Sequence, residues 1–149
     1  MRIVVKIGSN VLTRADGTLD VTRISALTDQ IATLWREGVQ VVVVSSGAVA
    51  SGRGELAGRL PEHMQGAGSD GQTGLDSVSA RQLFSAVGQI KLIDRYYNLF
   101  RDHGIVCGQV LTTKESLSTA EQCLNQKNCM EVMLDAGVIP IVNENDTTS

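Results

Sequence analysis

An α/β fold, arranged as a three-layer α/β/α sandwich with a mainly parallel sheet, is predicted by three observations in this 149-residue sequence. Short apolar runs rich in Val and Ile recur along the chain, and such uninterrupted runs are typical of strands buried on both faces. Segments with apolar residues at helical spacing separate these runs, as expected for a parallel sheet. Glycines and polar residues follow the strands directly, at the sheet edge where ligands of such folds bind.

The first part of the chain is predicted to form a strand, a helix and a second strand. Residues 2–7 make the first strand, and Asp20 is a predicted N-cap for the helix. Gly38 fits the end of that helix, and residues 39–44 make the second strand. A unit of this kind forms a right-handed crossover. The apolar positions that predict the helix are Ile24, Leu27, Ile31, Leu34 and Trp35.

A short helix and a glycine-rich segment come next. The small residues after Gly47 predict a short helix whose backbone can approach a ligand closely. Residues from about 53 to 77 hold many glycines and no apolar periodicity, which indicates a long, mobile surface loop. Loops above ~12–15 residues inside a compact domain are usually functional or disordered, and both interpretations stay open here.

A long helix over residues 78–103 is predicted to end at Gly104 and to lead into a third strand over residues 105–111. We expect one apolar stripe of this helix to face the core. The residues of the stripe are Leu83, Val87, Ile90, Ile93, Tyr97 and Phe100.

The last predicted elements are a helix and a fourth strand. Ser118 and Glu121 have the spacing of a capping box, which predicts that the helix begins there. Gly137 fits its end, and residues 138–142 make the fourth strand.

Composition and charge exclude several classes of protein. The apolar fraction of 42% and the charged fraction of 19% are typical of a globular domain, and a net charge of −3 argues against nucleic-acid binding. The absence of a signal peptide and of a stretch of ~20 apolar residues predicts a cytoplasmic protein without a membrane span. Cys107, Cys123 and Cys129 lack metal-ligand spacing, so we predict buried or half-buried thiols and no metal site. His63 and His103 are isolated, and we assign neither a catalytic role.

Polar residues at three predicted strand ends should meet at one edge of the sheet. They are Lys6 with Gly8, Ser46 with Gly47, and Asn143 with Asp146. Each group alone has an ordinary explanation: a solvated lysine, a helix N-cap, or a turn. Together they predict a site for an anionic substrate. A lysine at such a site favours phosphoryl transfer, since that chemistry consists largely of positioning and of neutralising phosphate charge.

Several familiar motifs are missing from the chain. The sequence has no Gly-x-x-x-x-Gly-Lys-Ser/Thr segment, so it is not a P-loop enzyme, and no Gly-x-Gly-x-x-Gly follows the first strand. Ser46 lacks the Gly-x-Ser-x-Gly surroundings of an esterase nucleophile.

Four segments resemble the glutamate kinases of the amino acid kinase family. They are residues 5–9, 44–52, 86–89 and 139–146, which read VKIGS, VSSGAVASG, AVGQ and IPIVNEND. Their order and spacing agree along nearly the whole chain, apart from a longer loop before Ser77. The resemblance implies that residues 1–149 are the amino-terminal part of an amino acid kinase fold. The carboxyl half would lie outside this chain, and we therefore expect the chain alone to be inactive.

The resemblance implies a reaction, namely ATP-dependent phosphorylation of the γ-carboxylate of L-glutamate, the first step of proline synthesis. It implies ATP and Mg²⁺ as cofactors, a homo-oligomer, and proline as a feedback inhibitor. A carboxylate with a pKa near ~4.3 is ionised at neutral pH, so this reaction needs no general base. An acetylglutamate or carbamate kinase, or a non-catalytic fragment that binds glutamate or proline, remains an alternative.

The resemblance also implies roles for individual residues. Lys6 corresponds to the catalytic lysine that contacts the transferring phosphate, with Gly8 beside it in the nucleotide site. The implied glutamate-binding residues are Ser46, Gly47, Ala48, Asn143 and Asp146. The carboxylate of Asp146 is suited to a free α-ammonium group, which an N-acetylated substrate lacks.

Overall fold

The computed structural model describes residues 1–64, 76–112 and 119–144. Within them, four parallel strands form one sheet in the order β1-β2-β4-β3. The strands are β1 (Arg2–Ile7), β2 (Gln40–Ser45), β3 (Val106–Thr112) and β4 (Val138–Glu144). The predicted α/β fold with a parallel sheet is confirmed.

Helices cover both faces of this sheet. They are α1 (Ser9–Leu12), α2 (Val21–Arg36), α3 (Ala48–Leu56), α4 (Ser77–Asp102) and α5 (Ala120–Asp135). Val41 and Val43 of β2 lie in one buried cluster with residues of α2 and α4, whereas Val42 packs with Leu134 of α5 in another. Alternate residues of a strand point to opposite faces, so the sheet lies between two helical layers.

Local signals fix most helix ends. The Asp20 carboxylate accepts a hydrogen bond from the Arg23 N–H at 3.1 Å and caps α2, as predicted. Gly38, Gly104 and Gly137 have positive φ and follow α2, α4 and α5, which confirms the three predicted helix ends.

The cap of α5 differs from the capping box predicted at Ser118. Thr119 is the N-cap, and its hydroxyl oxygen accepts from the Gln122 N–H at 3.1 Å. Ser118 itself lies outside the described residues. Ser and Thr are both good caps, so two adjacent hydroxyl residues do not determine which of them is the N-cap.

Two further differences concern the first half of the chain. Helix α1 was not predicted, since four residues are too few to show a helical period. The segment predicted as a glycine-rich loop at 53–77 begins with the last residues of α3 and contains a 3₁₀ turn at Glu62–Met64. Residues 65–75 lie outside the described residues, so the predicted mobility of that segment stays a prediction.

The predicted core stripe of α4 is wrong at two of its six positions, Ile90 and Tyr97, which are 76% and 45% exposed. Phe100 is fully buried and Ile93 packs against the core, as predicted. The buried residues of α4 are Ala80, Phe84, Ser85, Gly88, Leu92, Tyr96 and Phe100. Small residues in this set allow α3 to approach. The prediction selected large apolar residues only, so it missed these small buried ones.

The cysteines follow the prediction only in part. Cys107 is buried in β3, and burial raises the pKa of its thiol to about 11. Cys123 and Cys129 are exposed on α5, contrary to the expectation of buried or half-buried thiols. The outer face of this helix faces solvent rather than a second layer of protein.

His103 has a structural place at the end of α4. Its Nε2 lies 2.7 Å from Asp29 Oδ1, and its Nδ1 lies 2.7 Å from Arg36 Nη2. Asp29 and Arg36 belong to α2, so the imidazole joins the two helices on one face of the sheet. Across the described residues, no helix combines the length and apolar character that crossing a membrane requires.

Candidate active site

The parallel register brings three strand ends to one edge of the sheet. Ile7 of β1 pairs with Ser45 of β2, which pairs with Asn143 of β4. The Ser46 N–H donates to the Ile7 carbonyl oxygen at 3.0 Å, so the turn after β2 stays attached to the end of β1. Neighbouring strands are about 4.8 Å apart, and the backbone therefore places these ends within one side chain's reach.

A cavity of about 350 Å³ lies at this edge. Three residues assigned to the glutamate site line it, namely Ser46, Gly47 and Ala48. The same cavity is lined by residues that sequence reasoning did not select, and the charged ones among them are Arg53 and Arg81. A cavity whose lining residues include a serine and two arginines is suited to an anionic ligand.

Gly47 gives the turn its shape. Its φ of 107° lies in the left-handed region, and it is the residue that precedes α3. A Cβ atom here would also lie 3.1 Å from Cδ1 of the buried Leu12. The backbone reverses at Gly47 and then enters the helix, so the first N–H groups of α3, which carry the positive end of its dipole, are presented at the strand ends.

Helix α3 is held against α4 by backbone contact. A Cβ atom on Gly52 would lie 1.8 Å from the Phe84 carbonyl oxygen. A Cβ atom on Gly88 would lie 1.8 Å from the carbonyl oxygen of Ala48, which lines the cavity. Neither backbone oxygen can swing away as a flexible side chain does. The AVGQ segment, which holds Gly88, therefore positions the turn at the cavity.

A buried hydrogen bond supports the same turn from the core. Ser45 Oγ donates to the Ser46 carbonyl oxygen at 2.8 Å and lies 2.8 Å from the Tyr96 hydroxyl. Because the Ser45 proton is engaged, the Tyr96 hydroxyl is the donor in the second bond. Burial raises the pKa of Tyr96 to about 12, so this proton is retained across the physiological range.

Lys6 and Gly8 lie at the end of β1 but do not line this cavity. Lys6 is exposed and alternates with the buried Ile7, so the two side chains leave opposite faces of the sheet. Gly8 has a φ of −80°, and a Cβ atom there would meet nothing within 4 Å. Packing within the described structure does not require glycine at this position.

Asn143 is buried at the end of β4, with 1% of its surface exposed. Within the part of the chain that the structure describes, neither its amide oxygen nor its amide nitrogen has a hydrogen-bond partner. Burying an unpaired amide costs about 1–3 kcal/mol, so this group is a candidate for contact with a ligand. Asp146, which was assigned to the same site, lies outside the described residues.

Little in the sequence indicates that Arg53 and Arg81 belong to the candidate site. Arg53 follows directly after the 44–52 segment that carries the family resemblance, and Arg81 lies in the second turn of α4. That position is the only local indication of Arg53, and Arg81 adjoins none of the four segments. Their common position at the cavity depends on the contact between α3 and α4.

Comparison with known proteins identifies the family. The model of the amino acid kinase family matches residues 1–149, which is the whole chain. The chain belongs to the amino acid kinase family. The described strands and helices are therefore those of an amino acid kinase domain.

Similar proteins within this family carry one name. A protein of Bacteroides thetaiotaomicron called glutamate 5-kinase is 65% identical over 148 residues, which cover 99% of this chain and 38% of the relative. Proteins of the same name from Chlorobaculum tepidum and Maridesulfovibrio salexigens are 41% identical over 150 residues and 45% identical over 148 residues. Each match covers 99% of this chain, and 37% and 36% of the respective relatives. The chain thus spans less than two fifths of the length of these three relatives.

Proposed function

We propose that this chain is part of an enzyme that transfers the γ-phosphoryl group of ATP to the γ-carboxylate of L-glutamate, the first step of proline synthesis. The observation that carries the proposal is the cavity at the strand ends. It combines a Ser46–Gly47 turn with two arginines, in a chain 65% identical to a protein called glutamate 5-kinase. An acceptor that is ionised at neutral pH suits such a lining.

In the proposed reaction, a γ-carboxylate oxygen attacks the γ-phosphorus of ATP. The bond between that phosphorus and the β–γ bridging oxygen breaks, ADP leaves, and an acyl phosphate remains. The acceptor carries no proton that must be removed, so no general base takes part. The main obstacle is repulsion between the carboxylate and the phosphates, which fixed positive groups reduce.

Lys6 and Gly8 have the proposed nucleotide-side roles. The Lys6 ammonium group contacts the transferring phosphoryl group and offsets charge that develops in the transition state. Gly8 presents backbone without a side chain next to Lys6. The open space around a Cβ atom at this position supports close approach of phosphate.

ATP would bind together with Mg²⁺ in this proposal, and Mg²⁺ prefers oxygen ligands, carboxylates among them. Among the described residues, no group of three or more His, Cys, Asp or Glu side chains could hold a metal ion. We assign no step of the reaction to the ion.

The proposed glutamate site extends beyond the cavity. Ser46, Gly47 and Ala48 bind the acceptor end, and the unpaired amide of Asn143 supports a contact with the same substrate. Asp146 is proposed to pair with the free α-ammonium group. We further propose that the full-length enzyme is a cytoplasmic homo-oligomer with proline as its feedback inhibitor.

The function is tested by presenting the purified full-length protein with magnesium-ATP and one acceptor at a time. The acceptors are L-glutamate, N-acetyl-L-glutamate and carbamate, and ADP release is followed by a coupled assay. We expect turnover with L-glutamate alone. Turnover with either of the other acceptors, and none with glutamate, would assign the protein to another activity of the family.

The role of Lys6 is tested in the same assay with Lys6→Ala. We expect kcat to fall by about 10²–10³-fold, with a much smaller change in the glutamate KM, because the ammonium group interacts most strongly in the transition state. The matched control is Lys127→Ala on the exposed side of α5, which should leave kcat unchanged. A Lys6→Ala enzyme with near wild-type kcat would remove the phosphate role.

A further inference from the structure

Two arginines from different helices line the same cavity. Arg53 belongs to α3 and Arg81 to α4, and both line the cavity together with Ser46 and Gly47. Gly52 contacts the backbone of Phe84, as the close approach of the two helices shows. Arg53 follows Gly52, and Arg81 lies one turn before Phe84. The same helix contact therefore brings both arginines to the cavity.

Arg53 packs over an aromatic ring of the neighbouring helix. Its Cζ lies 5.5 Å from the centroid of the buried Phe84 ring, within the range of a cation–π contact. The N–H donors of a guanidinium group lie in one plane, where they match the two oxygens of a carboxylate.

The charge of these arginines is not neutralised within the described part of the chain, where neither forms an ion pair. Glu55, the carboxylate on α3, is already engaged by Lys91 Nζ at 2.9 Å and by Arg59 Nη1 at 3.6 Å. The hydrogen bond from Lys91 lowers the pKa of Glu55, so that carboxylate stays ionised on its own partners. Two like charges at one cavity favour binding of an anion.

The position of Arg53 along α3 indicates which part of the substrate it would bind. Ser46 and Gly47 lie at the strand ends, where the acceptor γ-carboxylate has to meet the phosphoryl group. Arg53 lies six residues beyond Gly47, about 9 Å along the helix axis. The second carboxylate of an extended dicarboxylate then falls on the arginine side of the cavity.

We propose that Arg53 and Arg81 bind the α-carboxylate of the amino acid substrate and so select a dicarboxylate. This inference rests on the proposed function for the identity of the substrate. It makes the two arginines determinants of specificity, separate from the transferring end. An acceptor without a second carboxylate would leave both guanidinium groups uncompensated in the cavity.

The test compares L-glutamate with L-isoglutamine, in which a neutral amide replaces the α-carboxylate and the γ-carboxylate is kept. Binding of each to the full-length protein is measured by calorimetry, so the readout does not depend on turnover. We expect wild type to bind glutamate about ten- to hundred-fold more tightly than isoglutamine, the range for charge-assisted hydrogen bonds. In the double variant Arg53→Gln, Arg81→Gln, this ratio should fall close to one, because only glutamate binding weakens.

Two further variants keep the comparison specific. Arg53→Lys retains the charge but loses the planar pair of donors. Its preference for glutamate over isoglutamine should therefore lie between that of wild type and that of the double variant. Arg59→Gln removes the same charge near α3, where the side chain is exposed and pairs with Glu55, and it should leave the ratio unchanged.

The outcomes separate this inference from the proposed function. A wild-type ratio near one overturns the inference without any variant, as does an unchanged ratio in a folded double variant or no binding of glutamate at all. A ratio that depends on the arginines, in a protein that does not phosphorylate glutamate, supports the inference while the proposed function fails.

Discussion

The centre of the sheet and the α3–α4 pair are both buried, but they are built in opposite ways. At the centre of the sheet, β2 and β4 bury bulky side chains such as Val43 and Ile141. Where α3 meets α4, Gly52 and Gly88 bring backbone against backbone. The first region gains stability from the apolar area that it buries. The second fixes the position of the turn that lines the cavity, so it tolerates no added atoms.

The largest expected effect comes from removing atoms at the centre of the sheet. Ile141→Ala should lower the free energy of unfolding by about 2–5 kcal/mol, since the side chain is buried and leaves a cavity. Urea unfolding of the full-length protein measures this. The control, Val132→Ala on the exposed side of α5, should change the free energy by less than about 0.5 kcal/mol. Equal losses in the two variants would contradict the assignment of the core.

Adding one carbon atom to the helix pair should have the next largest effect. Gly88→Ala is expected to destabilise the protein by about 1–3 kcal/mol and to raise the glutamate KM, because the new Cβ atom displaces Ala48 at the cavity. Thermal unfolding measures the loss of stability, and the coupled assay measures the glutamate KM.

Gly54→Ala is the matched control for this substitution. Glycine 54 also lies in α3, but a Cβ atom there would be 3.6 Å from Cγ2 of Thr18, an ordinary contact. Replacing a helical glycine at such a site should stabilise the protein by about 0.5–1 kcal/mol. If both glycine variants shifted stability in the same direction, the backbone contact would not explain the behaviour of Gly88.

The smallest effect is expected at Tyr96, which belongs to both regions. Tyr96→Phe keeps the ring in the core and removes the donor to Ser45, for a loss of about 0.5–1.5 kcal/mol at neutral pH. The pKa of Tyr96 is raised from 10.0 to about 12, so the buried hydroxyl stabilises the fold below pH 10 and loses that contribution as the pH rises through 12. The difference in stability between wild type and variant should therefore shrink above pH 10. A difference that grows there would show that the hydroxyl is not buried as a donor.

The elements of the fold were predicted well where the signals are local. Uninterrupted valine runs identify β2, and Asp20 and Gly38 limit α2, because each signal acts within a few residues. The resemblance to the family located Ser46 and Gly47, which the structure places at the cavity.

The remaining features depend on contacts between distant segments. The buried face of α4 is set by Gly88 against α3, and apolar spacing along one helix cannot reveal a partner. Arg53 is the first residue of the glycine-rich segment and Arg81 follows its end, and only the crossing of the two helices brings them to one cavity. A pattern within a single element carries no information on the contact between α3 and α4 or on the common position of the two arginines.

The strand order has a consequence for synthesis of the chain. β4 is the last of the four described strands to be made, yet it lies between β2 and β3. Until residues 138–144 leave the ribosome, β3 has no hydrogen-bonded neighbour and β2 is paired only with β1. The nascent chain thus exposes one edge of β2 and both edges of β3, which are sites for association with other chains. Insertion of one seven-residue strand joins the separate parts into a sheet and pairs the edge of β2 and one edge of β3 at once.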